Sequence, residues 1–335
     1  MPTDAMNQRS SFRWVSAVTR AWQTISLIIP EWLAGREGKR RPEPEVMEDK
    51  GSVEEFHAQG AQDGSMLPVF QFNAVAISRL LPPGGRLLDL GSGSGRFLIH
   101  LARCRPDIRI VGLDLSRPMV ELGARAIREA GLEGRVRLEV GDVTGFNGQI
   151  RGRFDAISCI YTLHHLQDRE RLAQCLGEIA LLRRRWGCGV WIYDHARPKL
   201  ERTARIFPEA FTPEASETFR RDSRNSLLAS FSFDELTRSV EETLGCAGHK
   251  RASGLPLFQA HWLLPMAGTP PSGESHWREI PLPPRARGGF RQLRWIMDNA
   301  PGGDFRQNVI SHCGVKPRSS AERSNAFAAS GWARL

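Results

Sequence analysis

No stretch of this 335-residue chain approaches the roughly 18 consecutive apolar residues of a membrane-crossing helix, so none is expected. The N-terminus has no early basic region followed by an apolar stretch and a small-residue cleavage site, so no secretory leader is expected. Six cysteines, at positions 104, 159, 175, 188, 246 and 313, form no C-x-x-C and join no Cys/His cluster of zinc spacing. No metal is therefore expected. Cys104, Cys159 and Cys175 sit in apolar or helical patterns and are expected as buried free thiols, which suits a reducing, cytoplasmic location. Nothing repeats at a period of about 20–50 residues, which excludes a solenoid.

What is present is a basic chain with an ordinary apolar share. The net charge is +9 and 41% of residues are hydrophobic. That length and apolar content fit one α/β domain of about 200–250 residues with extensions. A basic balance suits nucleic acid or an anionic membrane as partner. Basic and aromatic residues are not interleaved in a stacking pattern, so nucleic acid is disfavoured, and a solvated basic surface is the favoured reading.

The chain divides into three parts. Residues 1–50 carry Phe12, Val15, Val18, Trp22, Ile25 and Ile29 at helical spacing up to Pro30, followed by a charged, Pro-bearing linker at 35–51. The amphipathic stretch at 11–29 either lies on a membrane surface or packs on the protein or on a second subunit, as in a homodimer. Residues 51–265 form the main domain. Within it a helix is expected from about Val69 to Leu81. Strands are expected at 86–90, 109–114, 136–140, 154–160 and 189–194, and helices at 94–104, 117–130 and 168–184. This alternation implies a doubly wound, Rossmann-like sheet of about seven strands with helices on both faces. Ser232 and Glu235 form a helix-start pattern, and 254–264 reads as the final strand. Residues 266–335 read as a basic Pro/Gly-rich tail, with ten Lys/Arg against five Asp/Glu and a short helix at 290–300.

The stretch that carries chemistry is RLLDLGSGSGRF at 86–97. An apolar strand ends in Asp89 and runs into Gly91, Ser92, Gly93, Ser94 and Gly95 before a helix begins. Such a turn lets backbone N–H groups approach a ligand. A dinucleotide fingerprint fails, because its last glycine would fall at Arg96. The observed D-x-G-x-G-x-G suits a ligand with an amino-acid group beside a nucleoside. Asp114 closes the second strand 19 residues past Gly95, where a carboxylate accepts ribose hydroxyls. Asp142 closes the third, placed to accept from an adenine amino group. The fourth is followed by Tyr161-Thr162-Leu163-His164-His165-Leu166.

The order and spacing of these strands and acids resemble the class I S-adenosylmethionine-dependent methyltransferases over roughly residues 52–265. The segment RRDSRNSLLASFSFDEL resembles small bacterial members of unassigned substrate. The resemblance implies S-adenosylmethionine as cofactor, with Leu115, Met119, Val143 and Cys159 joining the glycines, Ser92 and the three acids around it. It places His164, His165 and Tyr161 as candidate catalytic residues, with Asp194-His195 as a second carboxylate–imidazole candidate. Phe56, Met66, Phe70, Phe72 and Asn73 are lid candidates, and 197–235 is a substrate-side insertion. Amine methylation of nucleobases or glutamine amides is disfavoured, since Ser158-Cys159-Ile160-Tyr161 stands where Asn/Asp-Pro-Pro-Tyr would be. The expected acceptor is a small molecule. Methylation of a quinone or lipid at a membrane surface, methylation of RNA or protein, and non-catalytic cofactor binding remain as alternatives.

Overall fold

Arg86-Leu87-Leu88-Asp89-Leu90 forms an interior strand, β1 (Arg86–Leu90), of a seven-stranded sheet. The computed structural model describes residues 27, 29–35, 38–44, 50–60, 64–212, 215–245, 249–253, 258–267 and 276–299. The apolar stripe expected from Phe12 to Ile25, Cys246, Cys313 and the tail beyond 299 lie outside the described residues.

β1 pairs in parallel with β2 (Arg109–Asp114) and, on its other side, with β4 (Ala156–Ile160). β3 (Val136–Val140) extends the sheet beyond β2, and β5 (Gly189–His195) extends it beyond β4, both in parallel. β7 (Gln259–Leu264) runs antiparallel to β5, and β6 (His249–Ser253) antiparallel to β7. The order β3-β2-β1-β4-β5-β7-β6 reverses direction between β1 and β4, and the strand ends there make the crevice in which such sheets bind ligands.

Side chains alternate across the sheet with period two. Leu88, Leu90, Ile157, Val190 and Ile192 pack with Leu176 and Ile179 of α5 (Arg169–Trp186) and with Leu236 of α8 (Phe233–Leu244). Leu87, Ile110, Trp191 and Tyr193 pack with Phe72 and Ile77 of α2 (Leu67–Ser78), Leu98 of α3 (Arg96–Cys104) and Leu293 and Met297 of α9 (Pro284–Asn299). Both faces are covered, which is why the parallel strands read as nearly unbroken apolar runs.

Local signals set the element ends. α3 begins only at Arg96, because Gly95 adopts a left-handed φ of 67° ahead of it. Ser116 caps α4 (Arg117–Glu129), and Asp168 caps α5, which Gly187 ends in the left-handed region. The Ser232/Glu235 pattern is a full capping box on α8. Two expectations are corrected. The final strand covers 259–264, while His249–Ser253 adds a strand that its polar sequence does not signal. The short helix expected at 290–300 starts at Pro284, and it packs on the sheet face through Leu293 and Met297.

The stretch read as a linker at 35–51 and the residues just before it are pinned to the domain. The buried Glu31 carboxylate accepts from the backbone N–H groups of Lys199 and Leu200, at the start of α6 (Glu201–Phe211). This places negative charge at the N-terminal end of the helix. Arg40 donates to the carbonyl oxygens of His164, Leu166, Gln167 and Ala229, and its guanidinium lies 3.8 Å from the Phe231 ring centroid.

Candidate active site

The ends of β1, β2, β4 and β5 converge on one cavity of about 430 Å³. A volume of this order holds a drug-sized ligand. The glycine turn after β1 forms one wall. Gly91 and Ser92 donate to the carbonyl of Leu113, folding the turn back on β2. A Cβ at Gly91 would stand 2.2 Å from Thr162 Oγ1, and φ there is +69°, so only glycine fits. At Gly93, φ is +52° and its N–H donates to Asp114 Oδ2 at 2.6 Å. The N–H of Ser116 donates to the other oxygen, Asp114 Oδ1, at 2.9 Å. Ser92 and Ser94 also line the cavity, and their hydroxyls are buried and have no partner among the described residues.

Three acids set the charge along this wall. Asp89 is buried at the end of β1 and accepts from Ser158 Oγ. Burial, opposed by that hydrogen bond and reinforced by the nearby Asp114 charge, lifts its pKa to about 7. Burial also raises the Asp114 pKa, against the N–H donors of Ser116 and Gly93. Asp142 goes the other way. Burial would raise it, but Thr144, through its N–H and hydroxyl, and Arg171 Nη2 at 3.1 Å outweigh that and lower it.

The opposite wall holds the histidines. His164 lies on a 3-10 turn (Leu163–His165) after β4 and is buried. Its Nδ1 donates to Asp194 Oδ1 at 2.6 Å. Asp194, at the end of β5, also accepts from the N–H groups of Thr162, Leu163 and His195. Burial would lower the His164 pKa, but the charge and hydrogen bond of Asp194 outweigh it and raise the pKa above its ordinary value. Burial and the neighbouring His164 lower the pKa of His195 to about 3. The expected pairing of Asp194 with its neighbour His195 is therefore corrected. Asp194 meets only the main chain of His195, and its imidazole partner is His164.

Tyr161 takes a positive φ of 52°, a strained conformation for a non-glycine residue. Its ring stacks on His195 with centroids 4.5 Å apart, and its hydroxyl accepts from Gln259 Nε2 at 2.7 Å. Tyr193, behind it, donates its hydroxyl to Gln259 Oε1.

Of the residues named from sequence, Asp89, Gly91, Ser92, Gly93, Asp114, Leu115, Met119, Asp142, Val143, Tyr161, His164 and His165 line this cavity. Gly95 sits just behind it, where an added Cβ would meet Leu138 at 3.1 Å. Cys159 is not brought to the cavity: it is fully buried in the core with Cys175. Among the lid residues, Phe56, Met66 and Phe70 line the cavity, whereas Phe72 and Asn73 face the core, with Asn73 Oδ1 accepting from Trp191 Nε1 at 2.6 Å. Arg40, Glu43 and Gln259 were not foreseen. Each meets the site across a long sequence separation, and no local pattern marks them.

A methyltransferase-domain family matches residues 87–205. A demethylmenaquinone methyltransferase of Roseiflexus castenholzii is 33% identical over 165 residues, covering 44% of this chain and 67% of the relative. A ubiquinone biosynthesis O-methyltransferase of Xanthomonas axonopodis pv. citri is 30% identical over 110 residues, covering 32% of this chain and 44% of the relative. A solved S-adenosylmethionine-dependent methyltransferase of Aquifex aeolicus superposes with a TM-score of 0.47 at 17% identity, covering 65% of this chain and all of that one. The chain belongs to the S-adenosylmethionine-dependent methyltransferases. Among the described residues, no helix is long and apolar enough to cross a membrane.

Proposed function

We propose that this protein methylates a hydroxyl of a small, largely apolar molecule held in the same cavity as the cofactor. One observation carries the reading: a glycine turn with unpartnered serine hydroxyls forms one wall of the cavity, and a buried imidazole–carboxylate pair forms the other. When bound, S-adenosylmethionine supplies an electrophilic methyl on a sulfonium that is already a good leaving group. The main task left to the protein is alignment.

On this reading the backbone of the turn at Gly93 and Ser94 receives the amino-acid end of the cofactor, with Asp89 facing its ammonium. Asp114 accepts from the ribose, and Asp142 with Val143 flanks the adenine. Asp114→Ala should weaken S-adenosylhomocysteine binding by about 1.5–3 kcal/mol, the scale of hydrogen bonds to a charged group. Calorimetry giving equal affinity for wild type and variant would sink the assignment.

Asp89 makes the binding depend on pH. With its pKa raised to about 7, the carboxyl is largely protonated below neutrality. An ammonium partner favours the ionised form. Affinity for the cofactor product should therefore fall about tenfold per pH unit below 7, and this slope should vanish in Asp89→Asn. A slope that persists in Asp89→Asn assigns the titration to another group.

His164 stands where it accepts a proton from an acceptor hydroxyl as the O–CH3 bond forms, while Asp194 stabilises the resulting imidazolium. His165 and Tyr161 line the same side. The acceptor enters between α1 (Lys50–Gln59) with α2 on one side and α6 with α7 (Glu217–Ala229) on the other. Phe56, Met66, Phe207, Phe219 and Leu227 give that space an apolar lining. The names of two relatives, a demethylmenaquinone methyltransferase and a ubiquinone biosynthesis O-methyltransferase, support a quinol-type acceptor.

A second reading concerns where such an acceptor is met. Ile29, Trp32 and Leu33 are 52%, 76% and 67% exposed, on a helical turn that Glu31 ties to α6. This supports contact with a lipid surface. The full chain should sediment with anionic phospholipid vesicles, and Trp32→Ser with Leu33→Ser should cut the bound fraction several-fold. Absence of sedimentation by the unaltered chain would rule the contact out.

A further inference from the structure

We propose that Glu43, His164 and His165 form a binding site for a divalent transition-metal cation of the Zn2+ type, open toward the acceptor side of the cavity. These residues come from two segments far apart in sequence. The fold brings one donor atom of each within 4.8 Å of the other two. Two imidazoles and one carboxylate are a donor set that suits zinc and its neighbours in the transition series. Cysteine spacing, the basis for expecting no metal, carries no information about this set, which contains no cysteine.

The surroundings have the features of a supporting shell. Asp194 holds the Nδ1–H of His164, which leaves Nε2 as the nitrogen that residue has to offer. A carboxylate behind a ligating imidazole fixes its tautomer and orientation. Glu43 is likewise held. Its carbonyl accepts from Gln167 Nε2, and its carboxylate lies 3.4 Å from Ser226 Oγ and 3.7 Å from His165 Nδ1. The segment bearing Glu43 is fixed by Arg40, which bridges the histidine turn to the end of α7 through the carbonyls of His164, Leu166, Gln167 and Ala229. The Arg40 charge is thus directed at main-chain oxygens and at the Phe231 ring.

Bonds of about 2.0–2.1 Å in a tetrahedral site put ligands roughly 3.4 Å apart, so donor atoms up to 4.8 Å apart must close by up to about 1.4 Å. Rotation of the Glu43 side chain and of the His165 ring would have to supply this. The rings of His164 and His165 already stand 4.2 Å apart, centroid to centroid. Both histidines line the cavity and Glu43 does not. A fourth position on the cavity side is where an acceptor would reach the ion. With an ion bound, His164 Nε2 would be a ligand and no longer the proton acceptor. The ion would instead lower the pKa of an acceptor oxygen held on it, so that this oxygen gives its proton to water, and the site would select acceptors with such an oxygen. That selection rests on the proposed function; the binding of the ion does not.

The test uses the full chain, freed of metal by a chelator and titrated with Co2+ as a spectroscopic stand-in. One Co2+ per chain is expected, with the visible absorption of a four-coordinate nitrogen–oxygen site, and Zn2+ should displace it. Glu43→Gln and His165→Ala should each weaken uptake at least tenfold. Calorimetry with S-adenosylhomocysteine shows that each variant remains folded, and it tests the cofactor reading separately. Failure to take up one ion, or uptake unchanged in both variants, overturns the site and leaves the cofactor reading intact.

Discussion

Replacing Asp194 with alanine should destabilise the fold by about 3–5 kcal/mol, the cost of removing one partner from a buried charged pair. Asp194 is 1% exposed. Its carboxylate accepts from His164 Nδ1 at 2.6 Å, from the N–H groups of Leu163 and His195 at 2.7 Å each, and from that of Thr162 at 3.1 Å. Alanine leaves these donors buried and without an acceptor, and each such donor costs about 1–3 kcal/mol. Asparagine should also destabilise, for a different reason. Both carboxylate oxygens accept from donors, so an amide NH2 on either side meets another N–H. Urea unfolding measures the change, and a loss below about 1 kcal/mol for Asp194→Ala would show that water satisfies these groups instead.

The same residue shows what the sequence did and did not disclose. The sheet was legible because its strands are apolar runs of strand length separated by helical patterns, and packing on both faces leaves little freedom in reading them. The glycine turn was legible because φ values of +69° and +52° at Gly91 and Gly93 demand that residue type within a short local pattern. The pairing of Asp194 was not. Its sequence neighbour His195 looked like its partner. In a strand, however, adjacent side chains point to opposite faces, so the partner comes from the turn after the next strand in the sheet. Cys159 failed as a cavity residue for a related reason. It alternates with Ser158, whose hydroxyl reaches Asp89, and so faces the core on the other side.

The N-terminal strap illustrates a second limit. The charges and prolines between 35 and 51 carry the composition of a solvated linker. In the structure Arg40, within that stretch, satisfies carbonyls on two elements, and Glu31, just before it, accepts from the N–H groups of Lys199 and Leu200 ahead of α6. Composition reports average solvation. It does not report which single guanidinium finds a set of unpaired carbonyls, because those partners exist only once the chain is folded. Truncation past residue 37 therefore reaches groups that organise the histidine turn.

Replacing His164 with alanine should lower turnover by about 10²–10⁴-fold on an acceptor hydroxyl, while S-adenosylhomocysteine binds as before. Three features make His164, rather than its neighbours, the group to remove. It alone has a carboxylate on its ring nitrogen, at 2.6 Å, and its pKa is raised as a result. His195 has a ring nitrogen with no partner among the described residues and a pKa lowered to about 3, so its side chain holds a proton poorly near neutrality. His165 has a nearby carboxylate, but Glu43 lies 3.7 Å away, beyond a hydrogen bond. The measurement is release of S-adenosylhomocysteine across a panel of phenols and quinols, compared among His164→Ala, His165→Ala and His195→Ala. The loss should be largest at His164 and smallest at His195. Loss confined to His165 would move the proton-accepting role to that residue. Equal turnover in all three would mean that alignment alone drives the transfer, and that the His164–Asp194 pair serves the fold, whose stability the Asp194 substitutions measure independently.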